Sequence, residues 1–160
     1  MPSLLKMAVP VGQLLKERGQ TVAVSESAAG GLVSAALLSV PGASGYYLGG
    51  ASVYTQTARR GLLRFNDATA QLRGSTEEYA TLTATTIRDL LEADWGIGES
   101  GAAGPSGNRY GDPAGHVALA VVGLGRATRM VQTGNDDREA NMWAFAQAAL
   151  DLLYDTVKAN

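Results

Sequence analysis

The sequence predicts an α/β fold, a three-layer α/β/α sandwich with a mixed, mostly parallel sheet. Apolar stretches of strand length, such as TVAVSES at 21–27 and WGIGES at 95–100, alternate with segments whose apolar residues recur at helical spacing. Strands interleaved with helices favour a parallel sheet with both faces covered. Two late strands, HVALAVVGL and ATRMVQT, resemble a hairpin around 123–126, which makes the sheet mixed.

The first half of the chain predicts two helices and two strands, then a short helix. Residues 3–18 form a helix that Gly19 ends, with one apolar face made of Leu4, Met7, Val11, Leu14 and Leu15. The strand TVAVSES leads into a second helix that ends at Pro41 and Gly42, with a stripe of Leu32, Val33, Ala36, Leu37 and Val40. The short strand ASVYT (51–55) and the helical segment TARRGLL (57–63) follow.

The second half predicts two long helices around the late strands. Thr76 is an N-cap candidate with acidic residues in the first turn behind it, and this helix runs to about Ala93. The strand WGIGES then enters a glycine-rich loop, GAAGPSGNRYGDPAG. Asn135 or Asp136 caps the last helix, whose stripe is Met142, Phe145, Ala146, Ala149 and Leu152.

Composition narrows the class of protein. The chain has 160 residues, 46% of them hydrophobic, which fits one domain over 1–160 with its own core. The net charge of −2 has no long basic run, so nucleic acid is not an expected partner. No segment has the length of a membrane span and no signal peptide is recognisable, so we expect a cytoplasmic protein with no membrane partner. Homo-oligomerisation is a base-rate expectation for such a domain.

The chemistry available to the chain is restricted by two residue counts. Cysteine is absent and His116 is the only histidine, which removes cysteine nucleophiles and most zinc sites. We therefore expect no metal and no cofactor, and a hydrolase here must use hydroxyls, carboxylates, amines and backbone groups. A catalytic role for His116 itself is less expected than a structural or pocket-rim one.

The segment SESAAGG at 25–31 lies where a strand meets a helix. Backbone amides at a helix N-terminus suit an anion or a reacting carbonyl, so Ser27 is either a nucleophile beside oxyanion donors or a helix cap. The same amides could hold a phosphate. Tyr54 is either a packing residue or a functional one. The glycine-rich loop is either a flexible connection or a backbone wall that a ring or ribose can approach, and Asn108 and Asp112 are either ribose ligands or turn formers.

Three segments, ESAAGG, VYTQTARR and SGAAGPSGNRYGDPAG, resemble in order and spacing the C-terminal domain of the CinA (competence/damage-inducible) family. The family patterns are E-S-C-T-G-G, Y-S-N-x-x-K about 27 residues after the serine, G-I-A-G-P-x-G, and G-D-R before the last helix. The resemblance covers nearly the whole chain. Departures lie at Ala28 and Ala29, at Thr55 and Gln56, and at Arg59, which stands in the place of the lysine.

This family includes nicotinamide-mononucleotide amidohydrolases, and the resemblance implies their roles for the matching positions. Ser27 attacks the carboxamide carbonyl, while Tyr54 and Arg59 occupy the positions that assist proton transfer. The implied substrate-binding residues are Glu26, Gly30, Gly31, Gly101, Ala103, Gly104, Gly107 and Arg138. Arginine stays protonated in proteins, so Arg59 can bind or polarise but is a poor general base.

Two hypotheses follow. In the first, the protein hydrolyses the carboxamide of nicotinamide mononucleotide or a related nucleotide, with Ser27 activated by Tyr54. In the second, a catalytically impaired family member binds a nucleotide or phosphate ligand as a sensor or accessory protein. The glycines do not fit a P-loop kinase or a dinucleotide-binding fold, because G-K-[ST] and G-x-G-x-x-G are missing.

Overall fold

The computed structural model describes all 160 residues and contains five strands and six helices. In chain order the elements are α1 (Leu4–Arg18), β1 (Val22–Glu26), α2 (Leu32–Ser39), β2 (Tyr47–Ser52), α3 (Gln56–Leu63), α4 (Asp67–Ala70), α5 (Glu77–Leu91), β3 (Trp95–Ala102), β4 (His116–Val122), β5 (Arg126–Gln132) and α6 (Arg138–Ala159). A 3-10 turn at Ala43–Gly45 precedes β2.

The five strands form one mixed sheet in the order β2-β1-β3-β4-β5. β1 pairs in parallel with β2 and β3, whereas β4 is antiparallel to both of its neighbours. Four strands therefore share one direction and β4 alone runs against them. This arrangement confirms the predicted α/β fold, and it places the carboxyl ends of β1, β2 and β3 at one edge of the sheet.

Helices cover both faces of the sheet. On one face, strand residues such as Val24, Ile97 and Leu119 join the large core to which α1, α2 and α6 contribute. On the other face α5 lies against β3 and β4, with its alanines packed on alanines of β4. A Cβ on Gly98 would lie 1.9 Å from the carbonyl oxygen of Ala80, so glycine in β3 is what lets α5 approach the sheet this closely.

Several predicted boundaries shift in the structure. β2 lies over Tyr47–Ser52 rather than 51–55, because pairing with β1 begins at Tyr47 and overrides the turn-like glycines of that segment. Tyr54 therefore follows the strand. β3 continues to Ala102, and Asp137 caps α6 in place of the predicted Asn135 or Asp136. Thr76 caps α5 as predicted, accepting a hydrogen bond from the Tyr79 amide.

None of the helices combines the length and the apolar character that a membrane crossing requires.

Candidate functional site

A cleft opens at the sheet edge where β1, β2 and β3 end, the usual place for a ligand in an α/β protein. One cavity of about 290 Å³ has Ser27, Tyr54 and Arg59 in its wall. A second cavity of about 230 Å³ adjoins it, since Tyr54, Gly101 and Asn108 line both. We call the two cavities together the cleft. The fold thus brings the three residues predicted to be catalytic to one place.

The wall of the cleft is polar and positively charged. Arg59, Arg109 and Arg138 line it, and no aspartate or glutamate does, although the whole chain carries a net charge of −2. Ser75 and Ser100 add hydroxyl groups to the larger cavity. Three cations without a facing carboxylate attract an anionic ligand and are suited to hold a phosphate.

Ser27 is the first residue beyond β1 and is half-buried in the cleft wall. Its hydroxyl makes no hydrogen bond within the protein, so it is not the cap of α2; that helix begins at Leu32 with Gly31 before it. The hydroxyl is free to contact a ligand. The reading of Ser27 as a helix cap is therefore wrong for this structure.

The carboxylate of Glu26 occupies the N-terminus of α2. Its Oε1 accepts hydrogen bonds from the amides of Gly31 (2.9 Å) and Val33 (3.1 Å), and its Oε2 accepts one from Ser34 (3.0 Å). The side chain of Glu26 is 1% exposed and lies outside the cleft wall. The structure therefore places this predicted substrate-binding residue inside the protein. There its carboxylate accepts hydrogen bonds from the amides that a bound anion was expected to use.

Glu99 on β3 takes two further amides of the same turn. Its Oε2 accepts hydrogen bonds from the Ser27 amide at 2.7 Å and the Ala29 amide at 2.9 Å, while the buried Oε1 has no partner. Burial raises the pKa of the Glu99 carboxyl to about 7; the turn amides favour its ionised form, and Glu26 opposes it. Amides of the Ser27 turn, residues 27–31, are thus hydrogen-bonded to two buried carboxylates, those of Glu26 and Glu99.

Gly30 and Gly31 shape this turn. Both have positive φ, +67° and +102°, a backbone conformation that favours glycine. Neither lines the cleft. The Gly31 amide donates to Glu26 and the Gly30 amide donates to the Ser27 carbonyl, so the structure gives these predicted substrate-binding residues a role in the path of the backbone.

Tyr54 and Arg138 meet across the mouth of the smaller cavity. The Arg138 guanidinium donates to Tyr54 Oη at 3.0 Å and also to the carbonyl oxygen of Gly104. Because Oη accepts from Arg138, its own proton can point toward the cleft. Tyr54 is 63% exposed, which excludes the reading of a core packing residue.

Arg59 is held firmly beneath the larger cavity. Its Nη1 donates to the carbonyl oxygens of Ala70 (3.0 Å) and Leu72 (2.7 Å), and its Cζ lies 4.3 Å from the centre of the Tyr79 ring. The planar guanidinium stacks on the ring while one of its nitrogens binds both carbonyls, and a lysine ammonium, a point charge, does not reproduce that stacking. Arg59 is therefore a fixed cation of the wall and an anchor for residues 70–72.

The glycine-rich loop is a packed structure. A Cβ on Gly107 would lie 2.1 Å from the Asp112 carbonyl oxygen, and one on Gly104, whose φ is +117°, would lie 2.6 Å from that of Asp136. On Gly101 the clash would be with the His116 carbonyl. These glycines, together with Ala103, line the smaller cavity, yet the space left by the missing side chains is filled by protein backbone.

Polar side chains hold the loop in shape. Asn108 Oδ1 accepts from the amides of Tyr110 and Asp112, while Asn108 Nδ2 donates to Asp112 and to Ser75 Oγ. His116 Nε2 donates to the Ser75 carbonyl at 2.9 Å, and its Nδ1 accepts from Gln132. The structure therefore makes Asn108 and Asp112 turn formers and gives His116 a structural role behind the cleft.

Sequence reasoning missed several residues of the site. Glu99 stands between glycine and serine in a buried strand, and a lone acid in such a strand is a signal of a buried polar contact. Ser100 follows it in the cleft wall. Ser75 and Arg109 carry no such signal, because only the tertiary fold brings the segment before α5 and the loop after β3 together.

Comparisons with known proteins agree on one family. The family model described as the CinA C-terminal domain matches residues 4–157. The chain is 35% identical over 151 residues to a "CinA-like protein" of Desulforapulum autotrophicum, covering 93% of this chain and 36% of that protein, so it spans about a third of the length of this curated relative. A solved structure of a CinA superfamily protein from Klebsiella pneumoniae has a TM-score of 0.90 at 28% identity, with 99% of each chain covered. One from Enterobacter cloacae has a TM-score of 0.86 at 27% identity, covering 97% of this chain and 92% of that one. The chain belongs to the CinA C-terminal domain family.

Proposed function

We propose that the cleft binds a nicotinamide nucleotide and that the protein hydrolyses its carboxamide to the acid and ammonia, with Ser27 as nucleophile. The observation that carries this proposal is the unbonded hydroxyl of Ser27 in a cleft lined by three arginines and no acid. The arginines suit the phosphate of a nucleotide. The hydroxyl suits attack on a carbonyl group held beside it.

The proposed reaction has two steps. Ser27 Oγ forms a bond to the carboxamide carbon, its proton passes through the Tyr54 hydroxyl to the leaving nitrogen, and ammonia departs as the C–N bond breaks. Water then attacks the ester carbon, the ester C–O bond to Ser27 breaks, and the serine regains its proton. Arg59 keeps its charge throughout and acts as a fixed cation.

The oxyanion that forms in each step needs hydrogen-bond donors, and most amides of the Ser27 turn are already used within the protein. The amides of Ser27 and Ala29 donate to Glu99, and that of Gly31 donates to Glu26. The fixed guanidinium groups of the cleft are the donors that we propose to stabilise the developing charge.

A second candidate function is ligand binding without hydrolysis, as a sensor or accessory protein. Two observations favour it: no basic side chain hydrogen-bonds to Ser27 Oγ, and Arg59, in the place of the family lysine, is engaged with carbonyl oxygens. Both functions use the same cleft, and the ligand of the second is a nucleotide or another phosphate compound.

Ser27→Ala tests the proposal with nicotinamide mononucleotide. We expect the wild-type protein to release ammonia and the variant to release none, while both proteins show the same nucleotide-dependent rise in Tm. Ser39→Ala, a serine at the end of α2 and outside the cleft, serves as the matched control and keeps the wild-type rate. A Tm rise without ammonia from the wild-type protein supports the second function.

A further inference from the structure

The Glu99 carboxyl connects two segments that line the cleft, strand β3 and the Ser27 turn. Its strand, β3, continues into the wall at Ser100 and Gly101, and its hydrogen bonds reach across to the turn that carries Ser27. By strand alternation its side chain lies on the same sheet face as Trp95 and Ile97, in the core that α1, α2 and α6 cover. It is 2% exposed.

We propose that Glu99 is a positioning residue of the cleft, whose buried carboxyl sets the place of Ser27 relative to the β3 wall and responds to proton uptake at Oε1. The proposal rests on the function proposed above for the use of Ser27, but its structural part stands without a ligand. Glu26 fixes the far side of the Ser27 turn to β1, the strand that leads into it. Glu99 fixes the near side to a different strand.

The two oxygens of Glu99 have different surroundings. Oε2 accepts both amide hydrogen bonds, whereas Oε1 is buried without a donor. An added proton therefore belongs on Oε1 and leaves both amide bonds in place. They then change from charge-assisted bonds to weaker neutral ones, which loosens the hold on Ser27 and Ala29.

Few charged groups face Glu99. Glu26 on β1 is the ionisable neighbour that disfavours its negative charge, and the turn from 27 to 31 contains no ionisable side chain. Its register partner on β4 is Leu119, and the buried residues that α1, α2 and α6 contribute to this core, such as Phe145, are apolar. Burial brings the pKa of Glu99 to about 7, so both protonation states are populated near neutral pH.

Two variants separate the roles of the carboxyl. Glu99→Gln keeps an oxygen that accepts from both amides but cannot titrate, and Glu99→Leu removes the acceptor. We expect Glu99→Gln to bind nicotinamide mononucleotide within about threefold of wild type and Glu99→Leu to bind at least tenfold more weakly, since two buried amides lose their partner. Ile97→Val, on the same face of β3, is the control for a smaller core and leaves binding unchanged.

A ligand-free titration tests the same proposal independently. The ¹⁵N amide signals of Ser27 and Ala29 are followed from pH 5.5 to 8.5 in the wild-type protein and in Glu99→Gln. We expect them to titrate with a midpoint near 7 in the wild type and to stay flat in the variant.

Each outcome of these experiments supports or overturns the proposal. The proposal is overturned if the two amides do not titrate, if they titrate equally in Glu99→Gln, or if a folded Glu99→Leu binds like wild type. If the wild-type protein does not bind the nucleotide, the proposed function fails, and the amide titration still decides the role of Glu99. Should Glu99→Leu not fold, the titration and the Glu99→Gln affinity decide it.

Discussion

Glu26→Ala should destabilise the protein strongly, although the Glu26 side chain lies outside the cleft wall. The change leaves the amides of Gly31, Val33 and Ser34 without their acceptor at the start of α2. Each unsatisfied buried amide costs about 1–3 kcal/mol, and loss of a carboxylate at a helix N-terminus adds about 0.3–1 kcal/mol. Water reaching the half-buried amides and relief of the repulsion with Glu99 reduce the total, so we expect a loss of about 3 kcal/mol.

Urea denaturation followed by circular dichroism measures this loss as a shift of the midpoint at unchanged slope. The matched control is Glu17→Ala, an exposed glutamate of α1 without an ion pair, which should change stability by less than about 0.5 kcal/mol. A loss below about 1 kcal/mol for Glu26→Ala would show that the α2 amides find other partners, and the anchoring role of Glu26 would be refuted.

Two further predictions concern charge. Arg59→Lys should weaken nucleotide binding and lower kcat/KM, because a point charge replaces the planar group that stacks on the Tyr79 ring; a higher kcat would instead show that the cleft lacks only a general base. The pKa of Glu99 is raised from about 4.5 to about 7 on folding, so its contribution to stability is complete below pH 4.5 and is lost as the pH rises through 7. The difference in unfolding free energy between wild type and Glu99→Gln should therefore change by about 2.5 kcal/mol between pH 5 and pH 8, to the disadvantage of the wild type, and a pH-independent difference would contradict it.

The regular elements were predictable from the sequence because their signals are local. Gly19 ends α1, Thr76 caps α5, and the apolar stripe of α6 follows from residue spacing alone. The boundaries of β2 were not, since pairing with β1 extends the strand through a segment whose local signals favour a turn.

Many residues of the candidate site could be predicted from the sequence, but their hydrogen-bond partners could not. The resemblance to the CinA family identified Ser27, Tyr54 and Arg59, and parallel strands bring the segments that follow them to one edge of the sheet. Spacing says nothing about which way a carboxylate turns, so Glu26 was placed in the cleft although it lies inside the protein. Glu99 was missed because its partners, at Ser27 and Ala29, are some 70 residues away in the chain.

The central claim is that this cleft hydrolyses the carboxamide of a nicotinamide nucleotide at Ser27. Nicotinamide mononucleotide labelled with ¹⁵N in the carboxamide tests it most directly, with wild-type protein and Ser27→Ala compared at equal concentration. We predict that the label appears as ammonium with the wild type, in step with formation of the acid, and stays in the nucleotide with the variant. Label that remains in the nucleotide at saturating wild-type protein, or equal release by Ser27→Ala, would contradict the claim.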